Sequence, residues 1–163
     1  MIDRTKTVYK GDVLAGSFYL FIGVLAMIIA MLLYFFTERL GYYYLSVGMF
    51  FFSIYMLGKG TVMMYMYWSR YQYYKNRIDI TTDEVADEQS YTEHRIQRKH
   101  RGRRAYMYII LLGSLLAFAG LFHIEKGLIV GTSIPIVLLS GIEFGVGLLT
   151  EFRLSEYLRQ LKK

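Results

Sequence analysis

Residues 13–36 read VLAGSFYLFIGVLAMIIAMLLYFF, without one charged side chain. An apolar run of about 18 residues or more is long enough to cross a hydrocarbon core of roughly 30 Å as a helix. Lipid offers the backbone no hydrogen-bond partners, so such a run must satisfy its own amide and carbonyl groups as a helix. The run is also longer than the apolar region of a secretory signal, which has about 7–15 residues. It is therefore predicted to be a retained membrane span.

Three further apolar stretches follow, at residues 40–68, 105–122 and 127–149. The chain has 163 residues, of which 55% are hydrophobic, and a mean hydropathy of +0.30. These values exceed those usual in soluble domains. The pattern predicts an all-α integral membrane protein with four transmembrane helices. Little sequence remains outside them, so residues 1–163 are expected to form a single membrane domain.

Lysine and arginine are concentrated in three segments of the chain: 16 of the 19 lie within residues 1–13, 69–104 and 151–163. Basic segments resist transfer across a membrane, so all three are expected to stay in the cytoplasm. The prediction is a plasma or inner membrane protein with two helical hairpins, residues 13–68 and 105–150. A charged, helical cytoplasmic linker joins the hairpins, a cytoplasmic tail follows the second one, and both termini lie in the cytoplasm.

The two predicted hairpins resemble each other in sequence. An offset of 87 positions aligns residues 19–75 with residues 106–162 without gaps and gives eleven identities, among them Gly58 with Gly145. Shared apolar composition explains part of this match. It explains poorly why the pair Gly58 and Gly60 recurs as Gly145 and Gly147. The alternative is a tandem repeat, in which the two copies would lie parallel around an axis along the membrane normal.

Glu143 is the most informative side chain in the apolar stretches, because a carboxylate inside a membrane helix is costly and usually faces protein or water. The 87-residue alignment places it at a similar depth to Lys59 in the second stretch. The functional hypothesis is a buried ion pair, or a polar lining that an ion or proton pathway uses. The alternative is structural: Lys59 extends to the headgroups while Glu143 is protonated or hydrogen-bonded in the bundle.

The linker divides by charge, with acidic residues first and a basic cluster after them. Thr81 or Thr82, before the acidic run, is expected to begin a helix, because acids favour the positive end of a helix and bases the negative end. The basic cluster is predicted to bind anionic lipid headgroups, worth about 1 kcal/mol per charge, or else a cytoplasmic protein partner. Nucleic acid is disfavoured as a partner. The basic residues are Arg95, Arg98, Lys99, Arg101, Arg103 and Arg104.

Small residues four positions apart indicate how the helices pack. Gly113 with Ala117, and Gly141 with Gly145, each share one helix face. Such spacing lets helices approach each other closely in lipid. The pattern does not separate packing within one chain from packing between copies. Because four helices alone leave little room for a water-filled lumen, we expect a homo-oligomer.

Catalytic and cofactor signatures are missing from the sequence. The chain has no cysteine, its three histidines are not grouped, and it carries no glycine-rich phosphate loop. We therefore expect no metal, no cofactor and a non-enzymatic function. The first hypothesis is an oligomeric channel or ion-pathway assembly. The second is an accessory or scaffold subunit that recruits a cytoplasmic partner through the linker, and an enzyme acting on lipid headgroups comes third.

Overall fold

The computed structural model describes residues 2–77 and 81–162, and within those residues it is entirely helical, with no strand. Each helix contains 35 to 39 residues, and a helix of that size is about 52 to 58 Å long. A hydrocarbon core is only about 30 Å thick, so every helix is far longer than a membrane crossing requires. The four helices are α1 (Ile2–Phe36), α2 (Leu40–Lys75), α3 (Thr82–Gly120) and α4 (Lys126–Leu161).

Three of the helices, α1, α2 and α4, are long and apolar enough to cross a membrane. α3 differs because its first half is the charged segment that ends at Arg104, and its apolar part runs only from Ala105 to Gly120. The prediction of four transmembrane helices is therefore confirmed in part, for the all-helical fold and for three of the spans. The structure has three candidate spans and one helix with a shorter apolar part.

Within the described residues, the segment 69–104 is not a separate linker. Its first residues complete α2, which ends at Lys75, and most of the remainder forms the first half of α3. Residues 78–80 of the expected linker lie outside the described part of the chain. The expected N-terminal segment and C-terminal tail are likewise extensions of α1 and α4. Charge marks where a chain enters water, but it does not mark where a helix ends, so the helices continue through the boundaries that charge predicts.

α3 begins at a capping box, which confirms the helix start expected at Thr81 or Thr82. The Thr81 hydroxyl accepts a hydrogen bond from the Glu84 backbone N–H, and the Glu84 carboxylate accepts one from the Thr81 backbone N–H at 3.1 Å. The Tyr73 hydroxyl donates to the same carboxylate at 2.8 Å. These hydrogen bonds, led by the one from the Thr81 backbone, lower the pKa of Glu84 to about 2. The cap is therefore intact at neutral pH.

α1 packs along α2 and α3 along α4, while α2 and α4 contact each other and α1 touches α4. Two of these contacts depend on glycine. A Cβ atom on Gly60 would lie 2.9 Å from the Gly16 carbonyl oxygen, and one on Gly48 would lie 2.8 Å from the Pro135 ring. The missing side chains let α1 approach α2, and α2 approach α4, almost to backbone contact.

The bundle has two halves with different chemistry. The apolar half consists of residues 19–58 and 105–142, and its only acidic or basic side chains lie at the two turns. The terminal half consists of residues 2–18, 59–77, 81–104 and 143–162, and its core combines an apolar cluster with buried charged residues. Large apolar side chains cover the outside of the apolar half, as expected for a surface in lipid. The candidate site lies where the two halves meet.

Candidate functional site

An ion pair between Lys59 and Glu143 marks the boundary between the two halves. The Lys59 ammonium donates hydrogen bonds to both carboxylate oxygens of the buried Glu143. The same ammonium lies 4.7 Å from the centre of the Tyr19 ring and 5.7 Å from that of Tyr55. The sequence places the two charged residues at similar depth, and the structure brings them into contact. This contact ties α2 to α4.

Every helix contributes a side chain to this layer. Tyr19 of α1, Tyr55 of α2 and Tyr106 of α3 interact electrostatically with one another, and the first two also interact with Glu143 of α4. Tyr106 follows the last basic residue of α3 by two positions, so the layer lies at the end of the apolar half and not at its centre. Because both oxygens of the Glu143 carboxylate face the Lys59 ammonium, the negative charge of the carboxylate is compensated. A buried pair of this kind can hold two helices in a fixed arrangement.

Asp12 forms a second charged layer, deeper in the terminal half. It is fully buried and accepts hydrogen bonds from Arg95 of α3, at 2.8 Å, and from Arg153 of α4. The Arg95 guanidinium also lies over the Tyr67 ring of α2, 4.7 Å from its centre. Two guanidinium groups on one carboxylate compensate its charge and supply directed hydrogen bonds. Side chains from all four helices meet in this layer.

Glu88 is the centre of a third layer, near the ends of α1 and α2. The Tyr9 hydroxyl lies 2.7 and 2.9 Å from its two carboxylate oxygens, and the Tyr74 hydroxyl donates to it at 2.8 Å. Arg70 lies 3.4 Å from the same carboxylate, and its guanidinium stacks 3.9 Å above the Tyr91 ring. In the described residues the α3 backbone stays apart from α1 and α2, so these long polar side chains fill the space between the helices.

The basic cluster of α3 is divided between the inside and the outside of the bundle. Arg95 is buried against Asp12, Arg103 pairs with Glu151 of α4 at 2.9 Å, and Lys99 is half-buried. The expectation of one six-residue binding surface is therefore corrected: the helical period of 3.6 residues turns half of the cluster inward. The exposed members are Arg98, Arg101 and Arg104.

The two pairs of small residues lie in different surroundings. A Cβ atom on Gly113 would lie 2.7 Å from Val137 of α4, so Gly113 lies at the contact between α3 and α4, with the half-buried Ala117 one turn away. A Cβ atom on Gly141 or Gly145 would meet no atom within 4 Å. Gly141 is exposed and Gly145 is half-buried, so no close helix contact among the described residues depends on either glycine, and they leave an open surface on α4.

Sequence reasoning missed Asp12 and Glu88, the two carboxylates on which most of the buried polar contacts converge. Charge patterning assigns their segments to a solvated tail and a solvated linker. Helical spacing could have identified both carboxylates. Tyr9 and Asp12 share one helix face with the buried Thr5, and Glu88 shares a face with the buried Arg95. A charged segment in which such residues recur every three or four positions is predicted to be a helix with one face buried against its neighbours.

The described part of the chain, residues 2–77 and 81–162, contains no group of three or more histidine, aspartate or glutamate side chains placed to hold a metal ion. Compared with known proteins, the chain matches no protein family, no characterised protein and no solved structure. The function must therefore be inferred from the geometry of the chain itself.

Proposed function

We propose that the protein is a non-enzymatic scaffold or accessory subunit of the plasma or inner membrane, with a rigid terminal half that binds a cytoplasmic protein. The observation that carries this proposal is the surface of α2 in the terminal half. Between 49% and 81% of each side chain is exposed at the four residues of this aromatic face. The residues are Val62, Tyr65, Met66 and Trp68.

The aromatic face has the composition of a protein interface. Tyrosine, tryptophan and methionine are enriched where proteins meet, and exposed apolar groups of this size usually have a partner. Arg70, two positions beyond Trp68, contacts Glu88 in the third charged layer. The face therefore lies beside the polar core of the terminal half, beyond the layer of Lys59 and Glu143. The competing interpretation is an aromatic belt at headgroup level.

The buried charges support a scaffold more strongly than a conduit. Lys59 engages both oxygens of Glu143, and Asp12 is held between two guanidinium groups. Tyr19 and Met56 close the neighbouring core and are fully buried. An ion that passed along this axis would have to break compensated pairs in a low-dielectric core. The same pairs are suited to holding four helices in one fixed arrangement.

Four membrane crossings are part of the proposal, with α3 as the shortest. Its apolar part, Ala105–Gly120, is about 24 Å long, and a bilayer accommodates such a short span by thinning locally. Contacts of Gly113 with Val137 and of Gly120 with Ile129 keep this part alongside α4. With four crossings, both termini and the basic segments lie on the cytoplasmic side.

Contacts across the bundle support a tandem repeat. The 87-residue offset equates Gly48 with Pro135 and Tyr44 with Gly131, and the members of each pair lie against each other between α2 and α4. A residue that touches its own repeat partner lies beside a two-fold axis. We therefore include a duplicated hairpin, with its axis between α2 and α4, in the proposal.

The exposed arginines of α3 supply the contact with lipid in this proposal. Arg98, Arg101 and Arg104 precede the apolar part of α3. Helix side chains lean towards the helix N-terminus, which for α3 is the cytoplasmic side, so the guanidinium groups reach headgroup phosphates. Each contact with an anionic leaflet is worth about 1 kcal/mol. The three arginines would anchor α3 at the membrane surface.

A photo-activatable amino acid in place of Tyr65 tests the aromatic face directly. We expect irradiation of native membranes to give a discrete protein adduct. The double substitution Tyr65→Ser and Trp68→Ser should reduce co-purification of that protein about ten-fold or more, because buried aromatic anchors contribute roughly 2 kcal/mol or more each to binding.

The matched control for this experiment is the double substitution Tyr42→Ser and Tyr43→Ser. These tyrosines are 43% and 46% exposed at the other end of α2, and their loss should leave co-purification unchanged. Adducts with lipid alone at position 65, together with unchanged co-purification in the double variant, would contradict the proposal. That outcome would identify the face as an aromatic belt.

An oligomeric channel or ion pathway is the second candidate function, and the open surface at Gly141 and Gly145 favours it. A glycine pair without neighbours allows a helix of another copy to approach closely, and the pair of Lys59 and Glu143 would then latch the pathway. Ion flux in liposomes that changes with Glu143→Gln, but not with the exposed control Glu38→Gln, would favour this candidate. A monomer without flux would eliminate it.

A further inference from the structure

A half-buried cation of the terminal half lacks a partner among the described residues. Lys99 of α3 is half-buried, yet it forms no hydrogen bond or ion pair with another described residue. Two further cations, Lys59 and Arg95, lie within electrostatic range of it. The carboxylates in range, Glu143 and Asp12, are already engaged by other bases. This part of the bundle therefore has an excess of positive charge.

The surroundings of Lys99 disfavour its charged form. Burial and the charge of Lys59 both lower the pKa of Lys99. A buried ammonium without a counterion is costly, and proteins usually pair such a group or bind an ion next to it. An anion from outside the chain would supply the missing charge.

Open space lies beside this excess charge, on α4. Gly147 is buried, yet a Cβ atom on it would meet no atom within 4 Å. It lies one helical turn from Glu143, and one turn further on is Thr150, which is buried and forms no hydrogen bond with the described residues. The 87-residue offset equates Gly147 with Gly60, which packs tightly against α1. The space beside Gly147 of α4 is therefore open, whereas the equivalent position in α2 is filled by α1.

We propose that Lys59, Lys99 and Thr150 bind a phosphate-type oxyanion in the space beside Gly147. Lys59 gives two of its three donors to Glu143 and keeps the third, Lys99 has all three free, and the threonine hydroxyl donates one more. Charge-assisted hydrogen bonds from ammonium groups to phosphate oxygens are short and strong. The inference does not rest on the scaffold function.

The phosphate has two sources, because the site lies at the end of the apolar half. One is the headgroup of an anionic lipid that enters from the membrane surface, and the other is free inorganic phosphate from the cytoplasm. Both present the same tetrahedral oxyanion to the donors. The buried Nε of Arg153, which has no hydrogen-bond partner among the described residues, is a further donor close to the second charged layer.

Thermal unfolding of the purified protein in neutral detergent tests the site with inorganic phosphate as the probe. We expect phosphate, compared with chloride at equal ionic strength, to raise the unfolding midpoint saturably. Lys99→Met should raise the half-saturating phosphate concentration about ten-fold or more, the usual loss for one charge-assisted hydrogen bond. Without phosphate, Lys99→Met should unfold at a higher temperature than the wild type, because it removes an unpaired buried charge. Lys75→Met, at an exposed lysine of the terminal half, should change neither value.

Nanodiscs of phosphatidylglycerol and of phosphatidylcholine separate the two sources. Stabilisation by phosphatidylglycerol that Lys99→Met abolishes, without a response to inorganic phosphate, would identify the lipid headgroup, and the reverse pattern would identify the free anion. If neither probe raised the midpoint, or if Lys99→Met left the response unchanged, the site would be refuted. These readouts do not involve the aromatic face, so a failed partner experiment at Tyr65 would leave the result intact.

Discussion

Asp12→Asn should lower the free energy of unfolding by about 3–5 kcal/mol, the usual cost of removing one partner from a buried ion pair. The substitution keeps the shape of the side chain but leaves Arg95 and Arg153 facing each other without a counterion. Because Asp12 joins α1 to α3 and α4, the terminal half should lose its order first. Denaturant unfolding in mild detergent, followed by helical circular dichroism, measures the loss.

Asp3→Asn is the matched control for this variant. Asp3 is on the same helix, but its side chain is 93% exposed, and exposed ion pairs contribute little to stability. We expect its unfolding free energy to lie within about 0.5 kcal/mol of the wild-type value. A loss for Asp12→Asn no larger than that of the control would show that the second charged layer does not hold the bundle together.

Glu143→Gln should also destabilise the bundle by about 3–5 kcal/mol, because it leaves the Lys59 ammonium without its anion beside an apolar core. Adding Lys59→Met to that variant should restore much of the loss, since it removes the unpaired charge. A double-mutant cycle over the two positions should therefore give a coupling energy of about 1–3 kcal/mol. Unfolding measurements on the two single variants and the double variant supply the cycle.

The control cycle uses Glu38→Gln and Arg39→Met, which lie at the exposed turn between α1 and α2. Their effects should add within about 0.5 kcal/mol. If Glu143→Gln and Lys59→Met were equally additive, the pair would not act as a link between α2 and α4. That result would favour the ion-pathway hypothesis, because a carboxylate that is not coupled to Lys59 is available to bind a permeating ion.

The apolar half could largely be predicted from the sequence, because lipid leaves the chain few choices. Runs without charge must be helical, and the 87-residue offset was enough to place Lys59 and Glu143 at one depth. The start of α3 could be predicted as well, since Thr81 and Glu84 form a local motif that needs no tertiary information. What these features share is that nearby residues, or the solvent alone, determine them.

The terminal half could not be predicted in the same way, because its contacts join segments far apart in the chain. Asp12 accepts hydrogen bonds from Arg95 and Arg153, which follow it by 83 and 141 positions. Helical period alone indicates which bases of α3 share a face. It does not say which face is covered until the carboxylate on α1 is known. The sequence therefore assigns Arg95 to the surface and does not predict the charged layers around Asp12 and Glu88.

Cysteine labelling in sealed cells tests most directly whether the bundle crosses the membrane with its terminal half inside. The chain contains no cysteine, so Glu125→Cys and Asn76→Cys, at exposed positions on opposite ends of the bundle, can each be labelled alone. We expect a membrane-impermeant maleimide to label position 125 on intact cells and position 76 only after the cells are opened. Labelling of position 76 on intact cells, with position 125 protected or labelled equally, would contradict the account.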